Sequence, residues 1–132
     1  MNSDAVLAAG YWAVLTAVEA GAPYAVPVIY GWDGSAAYVL MQPGRKERAL
    51  RACADACLSV PAGAGASVLI RGRGEWIDEL ARKAHAADVV RRQMAGRRAP
   101  SVRDAARLVR AHVMKLVPHE VLWMDAPAAP QG

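Results

Sequence analysis

Residues 11–41 read YWAVLTAVEAGAPYAVPVIYGWDGSAAYVLM, and the fold turns on how they are parsed. Tyr11 to Glu19 is apolar, carries β-branched and aromatic residues, and stops at Ala20-Gly21-Ala22, which predicts a strand and a tight turn. Pro23 to Trp32 predicts a second strand. Its internal Pro27 cannot donate to a sheet ladder, so it implies an edge, a bulge, or a break where something else approaches. Asp33-Gly34 is a hairpin signal, and Ala36 to Met41 follows as a third strand. Three strands joined by short turns make an antiparallel meander.

Working outward, Gln42-Pro43-Gly44 breaks the pattern and Arg45 to Ala54 predicts a short helix with Ala49 and Leu50 as its apolar contacts. Cys57 to Val60 predicts a short fourth strand, and the composition of residues 61–66 a flexible loop. Ser67 to Ile77 alternates, with Val68, Ile70 and Trp76 on one parity and Arg71, Arg73 and Glu75 on the other, as in a long half-exposed strand. Gly72 and Gly74 inside it suggest a bend or a close backbone approach. Asp78 to Met94 predicts a helix with Leu80, Ala84, Ala87, Val90 and Met94 as the apolar stripe. A loop over residues 96–100, a capped short helix from Ser101, and a last strand over Val109 to Leu116 follow, with Val121 to Met124 continuing after a Pro118 turn. The expected class is mostly β (α+β): a six-stranded antiparallel closed or split β-barrel with two to three flanking helices. Residues 11–124 form its single domain, between an N-terminal segment (1–10) and a disordered tail (125–132).

A chain of 132 residues, 55% of them hydrophobic, can bury one core without disulfide staples. No apolar run approaches the ~20 residues of a membrane span. Met1-Asn2-Ser3-Asp4 lacks a basic lead into an apolar stretch, so the expected location is cytoplasmic. Cys53 and Cys57, four apart, read as small apolar residues rather than a disulfide or a metal pair. His85, His112 and His119 show no metal-binding spacing.

The net charge of +4 has two sources. Residues 78–110 hold nine of the sixteen basic and four of the twelve acidic side chains. They are not interleaved with aromatics and show no helix-turn-helix spacing, so a solvated surface is expected rather than a nucleic-acid site. The second source is the knot Arg45-Lys46-Glu47-Arg48 to Arg51. It lies between a strand and a helix, where free N–H groups and the helix dipole favour an anion, and Arg45 and Lys46 add full charges. The expectation is a phosphate group. Gly-x-Gly-x-x-Gly, Walker and serine-elbow motifs are missing, as are paired carboxylates at a useful spacing, so any chemistry should come from a cofactor.

At these residues the chain resembles a known family. Leu15-Thr16-Ala17-Val18, Gly21 to Val28, Asp33-Gly34, Gly44-Arg45-Lys46, Leu50, Cys57 to Val60, Arg71 to Glu75 and Val113 to Val121 keep the order of the pyridoxamine 5′-phosphate oxidase-like, flavin-binding split-barrel proteins. The resemblance spans roughly residues 11–124. It implies a homodimer with FMN in two symmetric interface clefts. Arg45 and Lys46 would hold the FMN phosphate. Pro27, Val28 and Ile29 would run along the isoalloxazine, with Met41 and Gln42 lining the site. Arg71 and Arg73 would reach the cleft from the partner's fifth strand, and Trp76 and Trp123 would serve the core or the dimer. Gln42-Pro43 stands where many relatives carry small hydroxyl residues. Residues 78–110 do not match the B6-oxidising enzyme, and the chain is short of that enzyme's substrate segment, so oxidation of vitamin B6 is not expected.

The resulting expectation is an FMN-dependent oxidoreductase acting on a small molecule. Deazaflavin reduction is the alternative, with Arg71 and Arg73 along a polyanionic tail. A non-catalytic flavin or haem module is another, with His112 as the axial ligand. Tyr30, Tyr38 and His112 are the side chains considered as acids or bases.

Overall fold

The computed structural model describes residues 2–42, 44–95 and 112–127. Its elements in order are α1 (Ser3–Ala9), β1 (Trp12–Glu19), β2 (Ala22–Trp32), β3 (Ala37–Met41), α2 (Arg45–Ala52), β4 (Asp55–Gly63), β5 (Ala66–Ile77), α3 (Leu80–Ala95) and β6 (His112–Met124). The six strands close into an antiparallel barrel in the order β1-β2-β3-β6-β5-β4. This is the expected mostly-β barrel with three helices among the described residues.

Alternation explains the closure. Ala13, Leu15 and Ala17 of β1 point into the barrel and are at most 4% exposed, and Leu58, Ile70 and Leu116 meet them there at 0%. The intervening residues face outward. The β1–β2 hairpin turns at Ala20 and Gly21, which have φ of 49° and 80°, so two positive φ values match the twist of the strands. β2 pairs with β1 along its length from Ala22 to Ile29, but with β3 only at Tyr30–Trp32. Pro27 therefore lies where one edge of β2 carries no described strand, the edge position its missing N–H predicts.

Several expectations change. The fourth strand runs from Asp55 to Gly63, well beyond Cys57 to Val60, and residues 61–66 are not a flexible loop. β4 and β5 instead join through Ala64 and Gly65, at φ 52° and 79°, because small residues tolerate a two-residue turn of positive φ. The last strand is a single strand from His112 through Pro118. Arg71 pairs with Glu120 and Gly72 with Pro118, so His119 is an extra residue bulged out of β6. A side chain at Gly72 would collide with the Val117 carbonyl oxygen, which is the close approach its glycine signalled. The helix at 45 ends at Ala52, and Cys53 caps it while Cys57 lies in β4, so the two cysteines do not share a helix face. Both are free thiols and half-buried.

α3 covers the outside of β2 and β3. Its buried face is Ala86 and Val90, with Val89 and Met94 beside them, packed on Tyr38, Ile77 and Val113. Leu80, expected in the apolar stripe, is 75% exposed, and Ala84 is exposed too. From His85 onward α3 reaches the barrel, and it comes closest where a Cβ on Gly31 would lie 2.8 Å from the Val90 backbone nitrogen. Gln93 fastens it, accepting from Trp32 N (2.8 Å) and donating to the carbonyls of Leu7 (2.7 Å) and Gly10 (2.6 Å). α1, not foreseen from sequence, sets Leu7 into the core. The loop at 96–100, the helix expected from Ser101, the start of the strand expected from Val109, and residues 128–132 of the tail lie outside the described residues.

Candidate functional site

α2 brings the basic knot against the end of β1. Gly44 caps the helix without a side-chain hydrogen bond, and the first turn closes through Arg48 N to Gly44 O at 3.1 Å. Arg45, in this first turn, reaches across to the β1–β2 hairpin. Its Nε and Nη2 donate to Glu19 Oε2 and Oε1, both at 2.6 Å, and its guanidinium lies 4.7 Å from the centroid of the Tyr24 ring. The hydrogen bonds from Arg45 hold the Glu19 carboxyl below its usual range, and Glu19 in turn raises Arg45. Arg45, Arg48 and Glu19 line one cavity of about 340 Å³, with Val18, Ala20, Ala49 and Ala52 as its apolar walls. Lys46 follows Arg45 in the first turn of α2.

A second feature of α2 fixes its distance from β6. Glu47 and His112 face one another through Oε2 and Nδ1, two buried atoms with no other partner among the described residues. Glu47 Oε1 accepts from Arg51 Nε at 3.2 Å, and Arg51 stacks 4.2 Å above the Trp76 ring. The helix that carries Arg45 is thus tied to β6 and β5 by a chain of polar and cation–π contacts.

The remaining candidates disperse. Val28 and Met41 are buried in the core at 5% and 1%, so their side chains face the barrel interior and only their backbones can line a site. Pro27 and Ile29 point outward from β2, Ile29 at 40% exposure, and Gln42 is exposed just after β3. Arg71 and Arg73 are exposed on β5 and do not line the Arg45 cavity. Arg71 pairs loosely with Glu120 at 3.4 Å and borders a separate cavity of about 630 Å³ with Thr16, Cys57 and His119.

The three acid–base candidates have structural partners. The Tyr30 hydroxyl, buried, donates to the Leu7 carbonyl at 2.7 Å. Tyr38 donates to Asp33 Oδ2 at 2.8 Å, and burial together with that bond pushes its hydroxyl up to about 12. His112 faces Glu47. Among the described residues no group of three or more His, Cys, Asp or Glu could hold a metal. On α3, Arg91 and Arg92 both pair with Asp88, which offsets part of the basic charge there.

Sequence reading missed Glu19 and Tyr24. Both belong to the first hairpin, and their meeting with Arg45 spans 26 and 21 positions of chain that no local pattern encodes.

The donor set suits a phosphate: two arginines, one of them the first residue of α2, border one cavity along that helix. The edge of β2 from Ala22 to Ile29 that no described strand pairs with has backbone groups that a planar ring with polar edges can use.

Comparison with known proteins bears on this geometry. The model of the family described as pyridoxamine 5′-phosphate oxidase matches residues 2–122. A search by sequence among curated proteins returns no match. Solved structures share the fold. A candidate 5-nitroimidazole antibiotic resistance protein from Bacteroides thetaiotaomicron superposes with a TM-score of 0.77 at 22% identity, over 90% of this chain and 79% of that one. A FAD-binding protein from Mesorhizobium loti gives 0.67 at 25% identity, over 89% and 85%. An F420 reductase gives 0.73 at 18% identity, over 92% and 97%. No described helix is long and apolar enough to cross a membrane.

Proposed function

Because the chain belongs to the pyridoxamine 5′-phosphate oxidase family whose model spans residues 2–122, we propose that it is an FMN-dependent oxidoreductase acting on a small molecule, with the flavin held between two copies of the chain. The observation that carries this reading is that Arg45 and Arg48 line one cavity, which runs along the side of α2 against the end of β1. There Arg45, Arg48 and, from its place in the same turn, Lys46 receive the phosphate. The edge of β2 around Pro27, which no described strand covers, and the backbone of Val28, Ile29 and Met41 border the ring. When bound, the flavin supplies hydride or electron transfer. The chain's residues bind and orient it, and the hydroxyls of Tyr30 and Tyr38 stay with the Leu7 carbonyl and Asp33.

FMN titration followed by flavin fluorescence tests the reading. Wild-type protein quenches micromolar FMN, and Arg45→Ala with Lys46→Ala weakens binding by about tenfold or more, the scale of one lost charge-assisted bond. No binding, with wild type and variant alike, overturns it.

A deazaflavin cofactor is the second reading, favoured by Arg71 and Arg73 standing exposed on one strand, suited to a polyanionic tail, and by the likeness to an F420 reductase. Relative affinity for the two cofactors separates them. The visible spectrum of the purified protein also reports haem, whose Soret band should vanish in His112→Ala if that imidazole is the ligand.

A further inference from the structure

We propose that Glu19 is a resident counter-ion that occupies Arg45 in the ligand-free protein and sets how tightly a phosphate-bearing ligand binds. The inference rests on the reading of Arg45 as a phosphate residue, and concerns what the anion must displace. Glu19 takes the Nε–Nη2 edge of the guanidinium with both carboxylate oxygens at 2.6 Å, an arrangement a phosphate would also use, so the two anions compete for that edge. Both partners are accessible for exchange, with side chains 62% and 33% exposed. Glu19 and Arg45 also line the same cavity, so a displaced carboxylate stays within the field of an arriving phosphate. The Tyr24 ring supports the guanidinium from another direction. Arg45 therefore keeps a stacking contact when Glu19 leaves, and the exchange does not strand the cation.

Glu19 follows as a specificity-determining residue. A ligand lacking a phosphate does not engage Arg45 and is indifferent to Glu19. A ligand whose phosphate takes the Nε–Nη2 edge displaces Glu19 and binds below the strength that Arg45 and Arg48 alone would give.

The test is calorimetric titration of wild type, Glu19→Gln and Glu19→Ala with FMN, riboflavin and inorganic phosphate. Removing the competitor of an exposed ion pair should tighten FMN and phosphate about three- to fivefold in both variants and leave riboflavin unchanged. In an Arg45→Ala background, Glu19→Gln should give no gain. Wild-type binding of FMN with equal or weaker binding by both variants overturns the counter-ion role and leaves the FMN reading standing. An equal gain for riboflavin also overturns it, because the effect would not lie at the phosphate. Failure of wild type and both variants to bind FMN overturns the FMN reading and the counter-ion role with it.

Discussion

Asp33 shows how much one side chain can organise. It opens the β2–β3 turn, where its Oδ1 accepts from the backbone N–H of Ser35 and Ala36, each at 2.8 Å, and from the Ser35 hydroxyl at 2.9 Å. Its Oδ2 accepts from Tyr38. Burial opposes its ionisation, but these donors outweigh burial and bring the carboxyl from 3.8 down to about 2. A carboxyl depressed on folding adds stability above its unfolded pKa and loses it as pH falls through the folded value. The contribution is thus present above about pH 4 and fades toward pH 2. Solvent exposure limits it to about 1 kcal/mol. Asp33→Asn should lower the melting temperature by several degrees at pH 7 and by less near pH 2, measured by thermal melts across that range. An equal loss at both pH values would place the effect in the turn geometry rather than the charge. Asp33-Gly34 was legible as a turn from sequence, because an Asx side chain acts over two or three residues. Its bond to Tyr38 crosses the hairpin and depends on register, which the dipeptide does not carry.

At the level of elements, α2 is the part whose placement matters most for the proposed site. Its sequence predicts a short helix, but eight residues form no stable helix alone. Leu50 and Ala49 bury one face, while Glu47–His112 and Arg51–Trp76 hold the others. His112→Ala removes the partner of a buried carboxylate oxygen and should cost about 1–3 kcal/mol, read from urea denaturation. A cost below half a kcal/mol would show that Glu47 finds water instead. The same loss of anchorage should weaken FMN binding without touching a ligand contact. The elements that sequence misplaced share a cause. The residue 61–66 stretch looks like a loop because Gly and Ala dominate it, yet those residues are what a two-residue turn between long strands requires. In α3 the helical period was right, but the buried face depends on where Gly31 lets the helix approach β2, 59 positions before Val90.

On the scale of the whole molecule, the barrel was legible because three of its five strand connections are short turns and strand alternation is local. The candidate site was visible in the residues themselves only as a basic knot, since the elements around it come from distant parts of the chain. The outward face of β1 and β2 bears on the proposed pair of chains. Opposite residues on neighbouring strands share a face, so Trp12 stands with Ile29, Val14 with Pro27 and Val18 with Pro23. Trp12, Val18 and Ile29 are 44%, 38% and 40% exposed. We propose this apolar ladder as the face on which the second copy packs. Among the described residues Arg71 borders a different cavity from Arg45, and we propose that a second copy packed on this ladder brings β5 to the cleft. Light scattering on a size-exclusion column should give twice the 14.0 kDa chain mass at micromolar concentration. Trp12→Glu places a charge on the ladder without entering the core, and should convert the pair to single chains. FMN affinity should fall with it by at least tenfold, because half of each cleft is lost. A wild-type monomer that still binds FMN would confine the site to one chain, and β5 would then have no part in it.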